Sequence, residues 1–176
     1  MITIKFLRRI LLILVSRVIH RNRIADFSNV MSFSSRIYDS TIGSYNYFGP
    51  GVVINRTIFK NYCSIAANVI IGNMEHDYSQ LSTSTKLFPH NKFKTTFIED
   101  DVWIGANSVI RTGITIGKGS VVGANTTVLK DVPPMSIVVG SPGRIIKNRF
   151  IDKIKAEEYL KLDFSCDPDS FHKNLK

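Results

Sequence analysis

The sequence predicts an all-β fold, a coil of short parallel strands in which each hexapeptide forms one wall. Three observations carry this. From Ile98 to Val128 an aliphatic residue recurs at every sixth position: Ile98, Ile104, Ile110, Ile116, Val122 and Val128. Gly105, Gly117 and Gly123 directly follow three of them. That suits a corner between walls, where glycine takes a positive φ at little cost. The fifth position of each block holds Val102, Ser108, Ile114, Ser120 and Thr126, residues that fit a tight interior. A period of six matches neither the roughly 3.6 residues of a helical turn nor the alternation of a lone strand. The six blocks amount to roughly two turns of a triangular solenoid.

The other elements follow along the chain. Residues 1–23 place Ile4, Leu7, Leu11, Val15 and Val18 at helical spacing, with Arg8, Arg9, Arg17, Arg21 and Arg23 around them. The unbroken apolar run, Ile10 to Val15, is too short to span a bilayer and no small-residue cleavage site follows it. Two readings stay open. The segment caps the open end of the coil or packs between subunits, or it lies as a basic helix on an anionic membrane face. Residues 24–147 form the coil. Ile24 and Val30 belong to a frayed first turn, and a rougher run begins at Ile42, slips, and resumes at Phe59. From Asn73 to Phe97 the repeat stops for 25 residues. A long irregular loop inside a compact repeat is usually functional. The chain leaves the coil after Pro142. Residues 148–176 hold a charged stretch with good helix formers, Asp152 to Lys161, and then a tail.

Composition narrows the classes. The chain has 176 residues, 44% of them apolar, enough for one globular domain. Its net charge is +9 and its pI is near 9.7, which suits a polyanionic ligand. No helix-turn-helix, RRM or zinc pattern supports nucleic acid as that ligand. Cys63 and Cys166 make no disulfide framework, and Cys63 reads as a small core filler. There is no P-loop, HExxH or CxxC pair, so no metal is expected.

The stretch VWIGANSVIRTGITIGKGSVVGANTTVLKDVPPMSIVVGSPGRII, with FKNYCSIAANVIIGN before it, resembles the hexapeptide-repeat acyltransferases. The likeness covers roughly residues 30–147. It points to the branch of sugar O-acetyltransferases and xenobiotic acetyltransferases. The resemblance implies a left-handed parallel β-helix, with an N-terminal helical segment, an excursion loop and a C-terminal helix. The hand comes from the resemblance, because parallel crossovers are ordinarily right-handed. It also implies a homotrimer with its active sites in the clefts between subunits, acetyl-CoA as co-substrate, and an excursion loop that walls the acceptor pocket.

Acyl transfer to a hydroxyl requires a general base, and imidazole changes protonation near neutrality. Among four histidines, His76 sits four residues past Gly72 in IIGNMEHDY, where the resemblance places the catalytic base. His90, in the same loop, is the runner-up. Glu75 or Asp77 is a candidate to orient His76. By the resemblance Ala106 and Ala124 line the acetyl-CoA groove, and an amide at Gly105–Ala106 is a candidate oxyanion donor. Lys130 in VLKDVPP and Arg144 in GSPGRII match basic residues that suit the coenzyme's phosphates. Leu129 stands where relatives have Thr, and Gly143 where they have Ala. Lys147 takes the position of a second basic residue. Trp103, outward beside Ile104, lies near the acceptor end of the cleft in relatives. Tyr78, with Phe88 and the Ser/Thr-rich loop, suits a stackable polar ligand such as a saccharide.

The leading expectation is an acetyl-CoA-dependent O-acetyltransferase acting on a saccharide, with direct transfer. It would work in the cytoplasm, with peripheral contact at the inner membrane face if residues 1–23 bind lipid. The alternatives are an antibiotic or amino-sugar acceptor and, in a different class, a non-enzymatic trimeric scaffold.

Overall fold

The computed structural model describes residue 7 and residues 10–15, 22–89 and 94–174. Three parallel sheets form the walls of a triangular prism, a left-handed β-helix. The first wall stacks Arg23–Ile24, Thr41–Ile42, Thr57–Phe59, Thr96–Ile98 and Thr115–Ile116. The second stacks Val30–Met31, Tyr47–Phe48, Ser64–Ile65, Trp103–Ile104, Val121–Val122 and Ser136–Val139, with Arg144–Asn148 added antiparallel at the end. The third stacks Arg36–Tyr38, Val53–Asn55, Ile70–Ile71, Val109–Ile110 and Thr127–Val128.

Each short parallel strand sends an apolar side chain to the axis, Ile or Val in most turns and Met31, Phe48 or Phe59 in others. All six residues of the regular block are buried, and Ile24, Ile37, Ile42, Phe48, Ile54, Phe59, Ile65 and Ile71 continue their columns below. Residues directly over one another share register, as in Ile54↔Ile71↔Ile110↔Val128, so like packs on like. The rougher half of the coil is also regular. Ile37 to Ile42 and Ile54 to Phe59 are steps of five where a corner is one residue shorter. In the first turn Met31 packs on the core and Val30 faces out, the reverse of the expected assignment.

Corner chemistry differs from expectation. Gly105, Gly117 and Gly123 do not use positive φ; Asn107, Gly119 and Asn125, two residues on, do. The three glycines are small because the next turn passes close by. A Cβ on Gly105 would lie 2.5 Å from the Ala124 amide nitrogen, and one on Gly117 would lie 2.5 Å from Pro134 N. Buried polar side chains knit the corners vertically. Asn29 accepts from the Asn46 amide, and Asn46 in turn accepts from the Cys63 amide (3.0 and 2.8 Å). Ser108 donates to the Gly123 carbonyl (2.8 Å) and Ser120 to that of Pro133 (2.8 Å). These bonds satisfy groups that burial would otherwise penalise.

The coil resumes after the excursion at Thr96, so Thr96 and Phe97 belong to a strand and not to the loop. After Pro142 the chain first folds back as Arg144–Asn148 and then forms two helices, one more than expected. α1 spans Lys153–Lys161, capped by Asp152, whose carboxylate accepts from the Ile154 amide (2.8 Å). α2 spans Pro168–Asn174. Both pack against a single edge of the prism, between the first and second walls. Tyr159 donates to Asp101 (2.6 Å), Arg149 pairs with the same carboxylate (2.7 Å), and Tyr62 donates to the Cys166 carbonyl (2.6 Å). At the other end Ile13, in the helical residues 10–15, is buried in the core cluster. Arg8, Arg9, Arg17 and Arg21, on which the membrane reading rests, lie outside the described residues. No helix among the described residues is long and apolar enough to cross a membrane.

Candidate active site

The excursion leaves the coil at Gly72, on the edge between the third and first walls. That edge is where chain length can be inserted without breaking a strand. The loop and the turn above it enclose a cleft of about 740 Å³ lined by His76, Tyr78, Lys94, Arg111, Thr112 and Gly113, among others. His76 is exposed to this cleft. Its Nδ1 lies 2.5 Å from the Thr83 carbonyl oxygen. A carbonyl only accepts, so Nδ1 is the donor, and in the neutral ring the lone pair is on Nε2. Imidazole in that tautomer is ready to take a proton.

Neither neighbouring carboxylate orients His76. Glu75 forms a forked pair with Arg111, whose Nε and Nη2 both approach at 3.0 Å. Asp77 accepts from the Ser79 amide and hydroxyl (3.0 and 2.6 Å) and from Gln80 (3.1 Å). The orienting group is the Thr83 backbone carbonyl. A residue code carries no signal for a main-chain contact seven positions away. Tyr78 is almost fully exposed at the mouth. His90 lies outside the described residues.

The remaining candidates occupy a different edge. Gly105, Ala106 and Ala124 sit between the second and third walls, with Ala106 and Ala124 one turn apart. The Gly105 N–H already donates to the Val122 carbonyl (2.8 Å), so Gly105 cannot serve as an oxyanion donor. Arg144 begins the last strand, beside Gly143, whose amide donates to Thr127 (2.8 Å), so it lies at the top of the same edge. Trp103 projects from the second wall, half exposed, between Ser64 and Val121. Lys130 alone joins His76, standing one turn above Thr112. Within one chain, then, His76 and Lys130 share one edge, while Gly105, Ala106, Ala124 and Arg144 share the next. A full wall separates the two groups. Among the described residues no cluster of three His, Cys, Asp or Glu has the disposition to hold a metal ion.

Comparison with known proteins defines the class. Residues 95–130 match the family of bacterial transferase hexapeptides (six repeats). The chain is 33% identical over 148 residues to a probable macrolide acetyltransferase of Lysinibacillus sphaericus, covering 73% of this chain and 77% of that protein. It is 36% identical over 115 residues to a chloramphenicol acetyltransferase of Klebsiella aerogenes, covering 57% of this chain and 55% of that one. The match therefore spans about half the length of that relative. The solved structure of a maltose O-acetyltransferase from Clostridium difficile 630 superposes with a TM-score of 0.56 at 30% identity, over 72% of this chain and 66% of that one. The chain belongs to the hexapeptide-repeat acyltransferase family.

Proposed function

We propose that this protein transfers an acetyl group from acetyl-CoA to a hydroxyl of a saccharide, with His76 as general base. The observation that carries the reading is the His76 imidazole in its cleft, its Nδ1–H tied to the Thr83 carbonyl and its Nε2 without a hydrogen bond among the described residues. Nε2 takes the hydroxyl proton as the oxygen attacks the thioester carbonyl. The tetrahedral intermediate then collapses, the C–S bond breaks, and the imidazolium returns the proton to the departing thiolate. No acyl-enzyme forms.

The donor fits the second edge. Ala106 and Ala124 leave its backbone unshielded for a pantetheine arm, and the Ala106 amide replaces that of Gly105 as the candidate oxyanion donor. Lys130 and Arg144 supply cations for the phosphates. The two groups meet only if the edge of one copy lies against the next edge of another. The protein's own C-terminal helices pack on the remaining edge, and the proposed base and donor groove lie on the other two, which supports a homotrimer with shared sites. The hydrogen-bonding side chains of the cleft, Ser79, Gln80 and Thr112 among them, and the exposed Tyr78 favour a sugar. An antibiotic acceptor is the second reading, since two of the relatives are named for macrolide and chloramphenicol acetylation. A coenzyme A thioester as donor supports a cytoplasmic site of action.

The test is a His76→Ala variant assayed for thiol release from acetyl-CoA, with coenzyme A binding followed by thermal shift. Turnover should fall by about 100- to 10,000-fold while coenzyme A still raises the melting temperature. Wild-type turnover in the variant contradicts the mechanism, and absence of coenzyme A binding in the unmodified protein favours a non-enzymatic scaffold.

A further inference from the structure

The edge that carries His76 bears a cation on each of four successive turns: Arg56, Lys94, Arg111 and Lys130. Their surroundings differ. Arg56 pairs with Asp39 (3.1 Å) and Arg111 with Glu75 (3.0 Å). Lys94 makes no ion pair among the described residues, although it lines the His76 cleft. Its stem lies across Gly113, where a Cβ would meet Lys94 Cβ at 2.4 Å and Cδ at 2.8 Å. Gly113 also has φ +75°, so both its backbone and the room it leaves hold the lysine stem in that groove. The two carboxylates in the cleft are already engaged, Glu75 by Arg111 and Asp77 by Ser79 and Gln80. Glu75 is neutralised by Arg111, whereas Asp77 is held in a turn of its own by neutral donors and keeps its charge; Lys94 is the cleft's cation outside an ion pair among the described residues.

A second hollow of about 310 Å³ lies below the cleft, lined by Asp39, Thr41, Arg56, Thr57, Ile58 and Thr95. Lys94 lines the upper hollow and Thr95 the lower, so the two meet at one peptide bond. Strands of one wall stack about 4.8 Å apart. A groove reaching from Arg111 down past Arg56 is therefore longer than a single sugar ring needs. Lys130, at the opposite end, is the cation proposed above for the coenzyme's phosphates.

We infer that the acceptor is an anionic saccharide, carrying a carboxylate or phosphate, that binds along this edge with its charge on Lys94 and its next unit in the hollow at Arg56. This rests on the acetyltransferase reading and specifies its substrate class. Threonines 41 and 95 supply hydroxyls for the sugar, and Arg56 and Arg111 stay oriented by their carboxylate partners.

The experiment compares thiol release from acetyl-CoA with three acceptors: a short oligouronide, its neutral methyl ester, and a sugar phosphate, with maltose as a neutral control. The oligouronide or the sugar phosphate should exceed the neutral acceptors by about tenfold or more in kcat/KM. Which of the two leads identifies the anion. Lys94→Met, which keeps the stem over Gly113, should raise KM for the charged acceptor about tenfold, leave the melting temperature in place, and erase the preference. Lys94→Arg should restore it. Raising ionic strength should weaken the charged acceptor selectively. Equal or better use of the methyl ester or maltose overturns the inference and leaves acetyl transfer standing. So does coenzyme A binding with no charged acceptor bound or acetylated. If coenzyme A does not bind at all, the underlying reading falls with it.

Discussion

Single residues in this coil are chosen by what passes one turn above them. Gly105 illustrates the point. Its place after Ile104 marks a corner in the sequence, yet the reason lies 19 residues away, in the Ala124 backbone. Gly105→Ala should therefore cost about 1–3 kcal/mol of stability, seen as a lower melting temperature, because a backbone atom cannot step aside as a side chain can. An unchanged melting temperature with weakened acetyl-CoA binding would assign the glycine to the cofactor instead. The inward residues were legible at this scale because side-chain branching and period agree. The Thr83 contact to His76 was not, since any residue there presents the same carbonyl. Nor was the choice of Arg111 as partner of Glu75, which depends on two turns being stacked.

The C-terminal segment is the element least visible in the sequence and the one with the clearest electrostatic signature. Its helix formers predict α1, but α2 is short and one of its two anchoring aromatics, Phe164, lies outside it while Phe171 lies within. Tyr62, Phe164 and Phe171 cluster with ring centroids 5.2–6.2 Å apart. Lys118 donates to the carbonyls of Leu160 and Leu162 (3.1 and 2.7 Å). Burial first, and then the Asp101 carboxylate it donates to, push the Tyr159 phenol up. Burial pushes that of Tyr62 up to about 12. Both groups hold their proton more tightly folded than unfolded, where a phenol titrates near pH 10. Their contribution is complete below about pH 10 and is lost as pH rises through the raised values. The unfolding midpoint should accordingly fall steeply above about pH 10. Tyr159→Phe should flatten that fall and cost about 1–2 kcal/mol at neutral pH by removing the bond to Asp101. A midpoint unaffected by alkali would show that the segment is not held in this way. The excursion loop, by contrast, was legible as an interruption of the repeat, and only its far boundary moved.

At the scale of the molecule, the fold was readable because a six-residue period admits few architectures. The candidate site was not wholly readable, because sequence proximity to a corner does not say which of three corners it is. The structure separates the proposed base from the proposed donor groove by one wall. It also uses the third edge to dock the chain's own C-terminus. The charge of +9 and the cation ladder beside His76 are in keeping with an acidic ligand.

Mixing two inactive variants tests the shared site most directly. His76→Ala removes the base, and Ala106→Trp blocks the donor groove. Each alone should be nearly inactive. Unfolded and refolded together in equal amounts, they should form mixed trimers with one intact site apiece. About a quarter of the wild-type rate should return if copies assort at random. No recovery, with folding and coenzyme A binding intact, would mean that base and groove are not contributed by neighbouring copies.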